Sequence, residues 1–414
     1  MADNRTFVVV GGGLAGAKAL EALREKGFDG RLVLFAAEDH LPYERPPLSK
    51  EYLKTGEKLD EAFVHDREWY DANRVDLRLG APVVAIDPAA HEVVTGDGER
   101  TAYDRLLLAT GSSPRRLNLP GADLDGVLYL RTIEDSDRLR SAFRPGKRVV
   151  FVGGGWIGLE AASAASEAGA EVTVLEALDL PLVRVLGPRV ATVFAELHRE
   201  HGVDLRTSVQ VSALEGDAGR VTAVRLADGS LVPADTVVVG IGAAPNVELA
   251  ERAGLAVENG VLVDAQGRTS DPDVFAAGDI ANHELPVLGR RIRVEHWATA
   301  LNQPVAVAAG MLDQEDRYDE LPYFYTDQYD LGMEYIGLGS PDDEVVVRGD
   351  LSQREFIAFW LREGRVVAGM NVNVWDVVDD VKALIRSGVV VDRVRLADPD
   401  VPLADVEQAN SRGT

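Results

Sequence analysis

Two stretches of this chain carry glycines at one spacing: Gly11-Gly-Gly13-Leu-Ala-Gly16 and, 142 positions later, Gly153-Gly-Gly155-Trp-Ile-Gly158. Such a turn presents free backbone N–H groups at a helix N-terminus, where a pyrophosphate can bind. The first glycine makes the tight turn, the second lets backbone approach the anion, and the third lets helix pack on strand. Roughly twenty residues past each turn stands an acid, Glu38 and Glu176, suited to a ribose hydroxyl. Ala177 follows Glu176 and no cation stands immediately beside it, so a 2′-phosphate there would meet a like charge. NADH is therefore favoured over NADPH at the second turn. Two units of this kind in one chain point to two dinucleotides.

Further candidate chemistry lies in Leu41-Pro-Tyr43-Glu-Arg45-Pro46-Pro47-Leu-Ser-Lys50 and in Gly278-Asp279. Consecutive prolines force extended backbone, so Arg45 and Lys50 could aim cations at a cofactor, or could be solvated charges on a surface loop. Asp279 could accept from a sugar-like hydroxyl, although an Asp at a turn caps a helix more often. The chain has no cysteine. That excludes disulfides, thiolate metal sites, a Cys nucleophile and a redox dithiol, so redox chemistry must run on a bound cofactor.

The elements needed to hold these residues are legible. Apolar runs Phe7–Val10 and Val149–Val152 precede the two turns, and helical segments follow at 17–26 and 161–168. Strands are expected at 31–35, 104–109, 171–176, 236–241 and before Gly278, with a hairpin about Asp228-Gly229 and small strands between 74 and 101. Beyond Glu295-His296-Trp297 the pattern changes to an Ala-rich helix at 298–312. Short alternating strands at 335–373 and an amphipathic helix at 376–387 follow. At 414 residues, two or three domains are expected. A net charge of −25 argues against nucleic acid or an anionic membrane as a general partner. No run reaches the ~18 apolar residues of a membrane span, and Met1–Arg5 is not a signal peptide, so a cytoplasmic location is expected.

Taken as a set, the paired glycine turns, Arg45-Pro-Pro-Leu-Ser-Lys50, Ala109-Thr110-Gly111, Gly278-Asp279 and Asp327-Gln328 resemble the FAD-dependent, NADH-linked ferredoxin reductases of oxygenase and cytochrome P450 systems. Apoptosis-inducing factor and its bacterial relatives are similar too. The resemblance implies an α/β fold with two Rossmann-like dinucleotide-binding domains and a C-terminal α+β domain containing an antiparallel sheet. It implies an FAD domain at 1–114 and 243–320, an NADH domain at 115–242, a C-terminal domain at 321–403 and a flexible tail at 404–414.

Roles follow for matched positions. Gly11, Gly13, Ala15 and Gly16 would hold the FAD pyrophosphate, Val83 the adenine side, and Arg131 and Asp279 the phosphate and ribityl region. Glu38, Arg45, Ala109, Thr110, Gly111, Gly242, Gly278, Glu295, His296 and Tyr325 complete the expected cofactor contacts. Backbone at Trp297, opening a helix, would face the flavin N1–O2 edge, and Lys50 and Glu160 would pair beside flavin N5. Gly153, Gly155, Ile157, Gly158, Glu176 and Arg184 would bind NADH. The implied partner is a [2Fe-2S] ferredoxin, and the implied oligomeric state is monomer or homodimer.

Three features depart from the pattern. Many relatives carry an acid where this chain has Ala37, ferredoxin reductases of this type often have Trp where it has Tyr325, and its helix after Gln303 lacks Lys and Arg until Arg317, where basic residues could help to dock an acidic ferredoxin. Arg115, Arg116, Arg290, Arg291 and Arg293 are the replacement docking candidates, with a solvated surface as the alternative. A second function class also stays open: an NADH-sensing interaction protein whose assembly responds to reduction.

Overall fold

The computed structural model describes residues 3–57 and 59–407, and they form two compact units. The first comprises Met1–Arg45, Lys58–Ser113 and Ala243–Pro322; the second comprises Pro46–Glu57, Pro114–Gly242 and Tyr323–Thr414. Each is built on a five-stranded sheet whose strands all run parallel.

In the first unit the strand order is Val274–Ala276, Arg105–Leu108, Thr6–Val10, Arg31–Phe35, Val75–Arg78. Phe7, Val8 and Val9 are fully buried, as a central parallel strand covered on both faces requires. Helix Leu14–Glu25 turns its apolar stripe (Ala19, Leu20, Leu23) onto one face, with Val307, Ala308 and Met311 of helix Trp297–Met311 in the same core. The expected small strands divide: 75–78 joins the parallel sheet, whereas Val83–Asp87, Glu92–Thr95 and Arg100–Ala102 form a separate antiparallel sheet.

The second unit repeats the plan, in the order Asp204–Arg206, Glu171–Leu175, Arg148–Val152, Thr236–Val239, Val127–Leu128. The helix after its glycine turn is Trp156–Glu167, five residues longer at its start than the 161–168 expected. Strand Val211–Asp217, absent from the sequence reading, pairs with Arg220–Leu226 to extend the 228–229 hairpin into a three-stranded sheet. The antiparallel C-terminal sheet begins at Tyr323–Gln328 rather than at Tyr335. Its Met333, Tyr335 and Trp360 share one core with Phe151, Leu159 and Phe194 of the parallel-sheet part. The amphipathic helix runs Val378–Ser387 and ends in the left-handed Gly388.

Two local expectations change. Pro46–Ser49 is not extended but a 3₁₀ turn leading to helix Glu51–Thr55, since a proline φ also suits the first turn of a helix. The segment groups with the second unit through Ser136 Oγ to Leu48 O at 2.9 Å and Tyr52 OH to Asp137 at 2.9 Å. The expected tail from 404 is structured as far as Glu407. Leu403–Asp405 forms a turn, Val406 is buried, and the Asp392 N–H donates to Val406 O. Residues 408–414 lie outside the described residues.

His283, on strand Ala281–Leu285, is buried edge-on to Tyr318. Burial pushes its imidazole from 6.5 down to about 4. Between those values the unfolded chain binds the extra proton, so stability falls as pH falls. Urea unfolding at pH 7 and pH 5 should therefore show His283→Leu losing about 2 kcal/mol less over that interval than the parent. Equal losses would mean that His283 does not supply this dependence.

Candidate active site

The first unit gathers three turns at the carboxyl ends of adjacent parallel strands, where ligands of open α/β sheets bind. After Val10 the chain turns through Gly11 at φ +127, and a Cβ there would stand 2.1 Å from Ala109 O. A Cβ on Gly16 would stand 2.1 Å from Gly11 O, whereas one on Gly13 would meet nothing within 4 Å. Strand, turn and helix are thus packed backbone to backbone, and the open side of the turn lies at Gly13, where helix Leu14–Glu25 begins. This is the cradle that a pyrophosphate fits.

The turn at Ala109-Thr110-Gly111 is tied to Asn246 by Thr110 Oγ1 to Asn246 O at 2.9 Å and Asn246 Nδ2 to Thr110 O at 2.8 Å. Gly278 follows strand Val274–Ala276, and a Cβ there would lie 3.0 Å from the Ala15 Cβ. Its N–H donates to Gln303 Oε1 at 2.8 Å. Asp279 accepts from Ser112 Oγ at 2.8 Å, so it is held by a side chain rather than acting as a helix cap.

Glu38 sits in a cluster of its own. Tyr43 OH donates to Oε2 at 2.6 Å and Arg45 to Oε1 at 2.9 Å. Burial opposes the Arg45 charge, but Tyr43 and Glu38 raise its pKa above the ordinary value. Trp297 opens its helix with Nε1 donating to Glu44 at 2.8 Å. His296 precedes it, its imidazole lowered to about 4 by burial. Glu295 pairs with Arg293 at 2.5 Å. Val83 stands apart on the separate antiparallel sheet, paired with Thr95.

In the second unit Gly153 adopts φ +101 and a Cβ on Gly158 would lie 2.7 Å from Gly153 O, which repeats the first turn. Gly155 is the residue before helix Trp156–Glu167, and Ile157 is 53% exposed on its first turn. Glu176 bends back onto the turn: Gly154 N–H donates to Oε2 at 2.7 Å and Leu178 N–H to Oε1 at 2.9 Å. Arg184 and Gly242 are exposed, and the Arg131 N–H donates to Asp135 at 3.1 Å.

The same helix carries Glu160, only 6% exposed. Lys50 pairs with its Oε1, and Ser49 Oγ donates to Oε2 at 2.5 Å. Thr326 Oγ1 donates to Oε1 at 2.5 Å. The Lys50 ammonium also lies 5.3 Å from the centre of the Tyr325 ring. Ser49 and Thr326 were missed from sequence; Ser49 lies within the Pro-Pro-Leu-Ser-Lys motif, whereas Thr326 gave no signal. Of the docking candidates, Arg291 bonds Val263 O, Asn282 O and Glu284, and Arg293 bonds Glu295. Arg115 and Arg116 are exposed, with Arg116 lying 4.2 Å over Tyr129.

Two parallel-sheet frameworks, each with a glycine turn and an acid just past the end of the next strand, define the architecture of an oxidoreductase that binds two dinucleotides. The chain belongs to the pyridine nucleotide-disulphide oxidoreductase family, matched over residues 5–303, and carries a reductase C-terminal region at 323–407. It is 43% identical over 405 residues to the 5,5'-dehydrodivanillate O-demethylase ferredoxin reductase subunit of Sphingobium sp., covering 97% of this chain and 98% of that one. It is likewise 43% identical over 401 residues to the anthranilate 1,2-dioxygenase system ferredoxin–NAD(+) reductase component of Burkholderia cepacia, covering 96% and 98%. Among solved structures it is similar to a covalent putidaredoxin reductase–putidaredoxin complex, with TM-score 0.94 at 37% identity, covering 97% and 98%. The protein is accordingly a flavoprotein oxidoreductase that uses FAD and a pyridine nucleotide. Lacking cysteine, it has no dithiol of its own for the disulphide chemistry in the family's name. Among the described residues no helix is long and apolar enough to cross a membrane.

Proposed function

We propose that this protein is an NADH:ferredoxin oxidoreductase, supplying single electrons to a [2Fe-2S] ferredoxin that serves a cytochrome P450 or a ring-hydroxylating oxygenase. The observation that carries this reading is the end-to-end likeness to ferredoxin reductases, which includes the C-terminal region at 323–407. It works in the cytoplasm as a monomer or homodimer.

FAD, when bound, supplies the step from a two-electron hydride donor to single-electron delivery. Residues 1–114 and 243–320 hold it: Gly11, Gly13, Ala15 and Gly16 at the pyrophosphate, Glu38 and Arg45 at the ribose side, and Val83 near the adenine. Ala109–Gly111, Gly278, Asp279 and Glu295–Trp297 complete that part, and from residues 115–242 Arg131 is a further FAD contact and Gly242 a further cofactor contact in this reading. Residues 115–242 hold NADH through Gly153, Gly155, Ile157, Gly158, Glu176 and Arg184. Residues 321–403 form the C-terminal domain, with Tyr325 toward the flavin. Lys50 and Glu160 orient the reacting flavin ring and set its charge environment. No protein acid is needed for a hydride step; the chain supplies position and exclusion of water.

Steady-state assay with NADH, a [2Fe-2S] ferredoxin and cytochrome c tests the proposal, and reduction must depend on the ferredoxin. In the same assay NADH should be preferred to NADPH. Glu176→Ala should narrow that ratio by roughly tenfold or more, as expected for loss of charged hydrogen bonds to the ribose diol and of repulsion toward a 2′-phosphate. A parent protein equally efficient with both nucleotides would show that Glu176 does not select.

A further inference from the structure

Behind the Glu160 carboxylate, hydrogen bonding continues into the interior of the second unit instead of ending at solvent. Thr326 Oγ1 donates to Glu160 Oε1 at 2.5 Å, and Gln328 Nε2 lies 3.3 Å from that hydroxyl. Gln328 Oε1 lies 2.9 Å from His198 Nε2, and the Tyr329 hydroxyl lies 3.5 Å from His198 Nδ1. Thr326, Gln328 and His198 are all 0% exposed.

The direction of each bond follows from its neighbour. The Thr326 hydroxyl has one proton, given to the carboxylate, so its oxygen accepts from the Gln328 amide. That leaves the Gln328 oxygen facing His198, which must carry its proton on Nε2. Burial lowers the His198 imidazole to about 4 and so holds it neutral, with Nδ1 left to accept from Tyr329. Every donor in the series points toward Glu160. Buried polar groups are destabilising unless satisfied, and bonds aligned head to tail polarise one another. Simple packing does not call for a threonine, a glutamine and a histidine at these depths.

We propose that Thr326, Gln328 and His198 are positioning residues for the redox step, forming a one-way hydrogen-bond series that fixes the orientation of Glu160 and, through it, of Lys50. This rests on the role proposed above for the Lys50–Glu160 pair. The series orients and does not relay protons, because a neutral amide at Gln328 interrupts transfer. Thr326→Val keeps side-chain shape while removing the donor to Glu160. Its carboxylate then turns within the space left, and Lys50 follows it.

The test uses the FAD-loaded full chain with Thr326→Val, Thr326→Ser and Gln328→Leu. FAD content and thermal melting establish that each variant is folded. Thr326→Val should lower the limiting rate of flavin reduction by NADH about tenfold, the effect of one charged hydrogen bond, with KM changed little. Its flavin potential, measured by equilibrium titration without NADH, should fall below the parent's, because the Glu160 charge is less offset. Thr326→Ser should restore both, and Gln328→Leu, which does not touch Glu160, should shift both in the same direction by less. Unchanged rate and potential in Thr326→Val, or equal losses in the Val and Ser variants, would overturn the proposal. If Thr326→Val loses FAD or fails to fold, Gln328→Leu decides, and parent-like values there overturn it. A parent protein that NADH does not reduce would instead count against the proposed function, while the potentials would still judge the hydrogen-bond series.

Discussion

Gly11→Val is expected to purify without its yellow colour, retaining less than about a tenth of the FAD of the parent. A φ of +127 is open to glycine but not to a β-branched residue, and the new Cβ would fall 2.1 Å from Ala109 O, which is backbone and cannot move aside cheaply. Strain at such a φ costs of order 1–3 kcal/mol by itself. Relief would come from opening the turn, which draws the N–H groups away from the phosphates. The parent should release FAD, not FMN, on denaturation, since only a dinucleotide fills a pyrophosphate cradle. Absorbance at the flavin band and chromatography of the released cofactor check both statements. Stoichiometric FAD in Gly11→Val would mean that the turn does not hold the cofactor.

Lys50→Ala should keep the fold and slow flavin reduction by NADH by roughly 10–100-fold, corresponding to loss of about 1–3 kcal/mol from a charged hydrogen bond. The larger 3–5 kcal/mol typical of a fully buried broken pair does not apply, because the Lys50 side chain is 15% exposed and Glu160 keeps Ser49 and Thr326 as donors. The uncompensated carboxylate disfavours negative charge on a nearby flavin, so the potential should fall. Ferredoxin-dependent cytochrome c reduction should decline in parallel. Stopped-flow absorbance and a redox titration measure these changes. A variant that reduces at the parent rate would make the pair a structural salt bridge only.

The glycine turns were legible because their positions admit no other residue: a positive φ at Gly11 and Gly153, and a helix backbone packed on the turn at Gly16 and Gly158. Glu176 was legible for a related reason, since a carboxylate at the end of the second strand reaches the turn's own N–H. What surrounds Glu160 was not. Ser49 and Thr326 lie 111 and 166 positions away in sequence, and no local spacing joins them. Strand Tyr323–Gln328 buries Thr326 and Gln328 and leaves Asp327 exposed. With polar side chains pointing inward, it lacks the apolar alternation by which a strand is read, and so the sheet was expected to begin at Tyr335. The helix start at Trp156 was obscured because Ile157 is exposed, and the Val406 anchor because a single apolar residue in a polar tail carries no period.

Electron delivery from NADH through the flavin to a ferredoxin is best tested by anaerobic double-mixing stopped flow: reduction of the protein with NADH, then mixing with an oxidised [2Fe-2S] ferredoxin. Rapid bleaching of the flavin is expected on the first mix, then its reoxidation on the second as two equivalents of ferredoxin are reduced, one electron each. Flavin that stays reduced with every ferredoxin tried, together with an NADH-dependent change in sedimentation, would contradict it and favour a redox-sensing interaction protein.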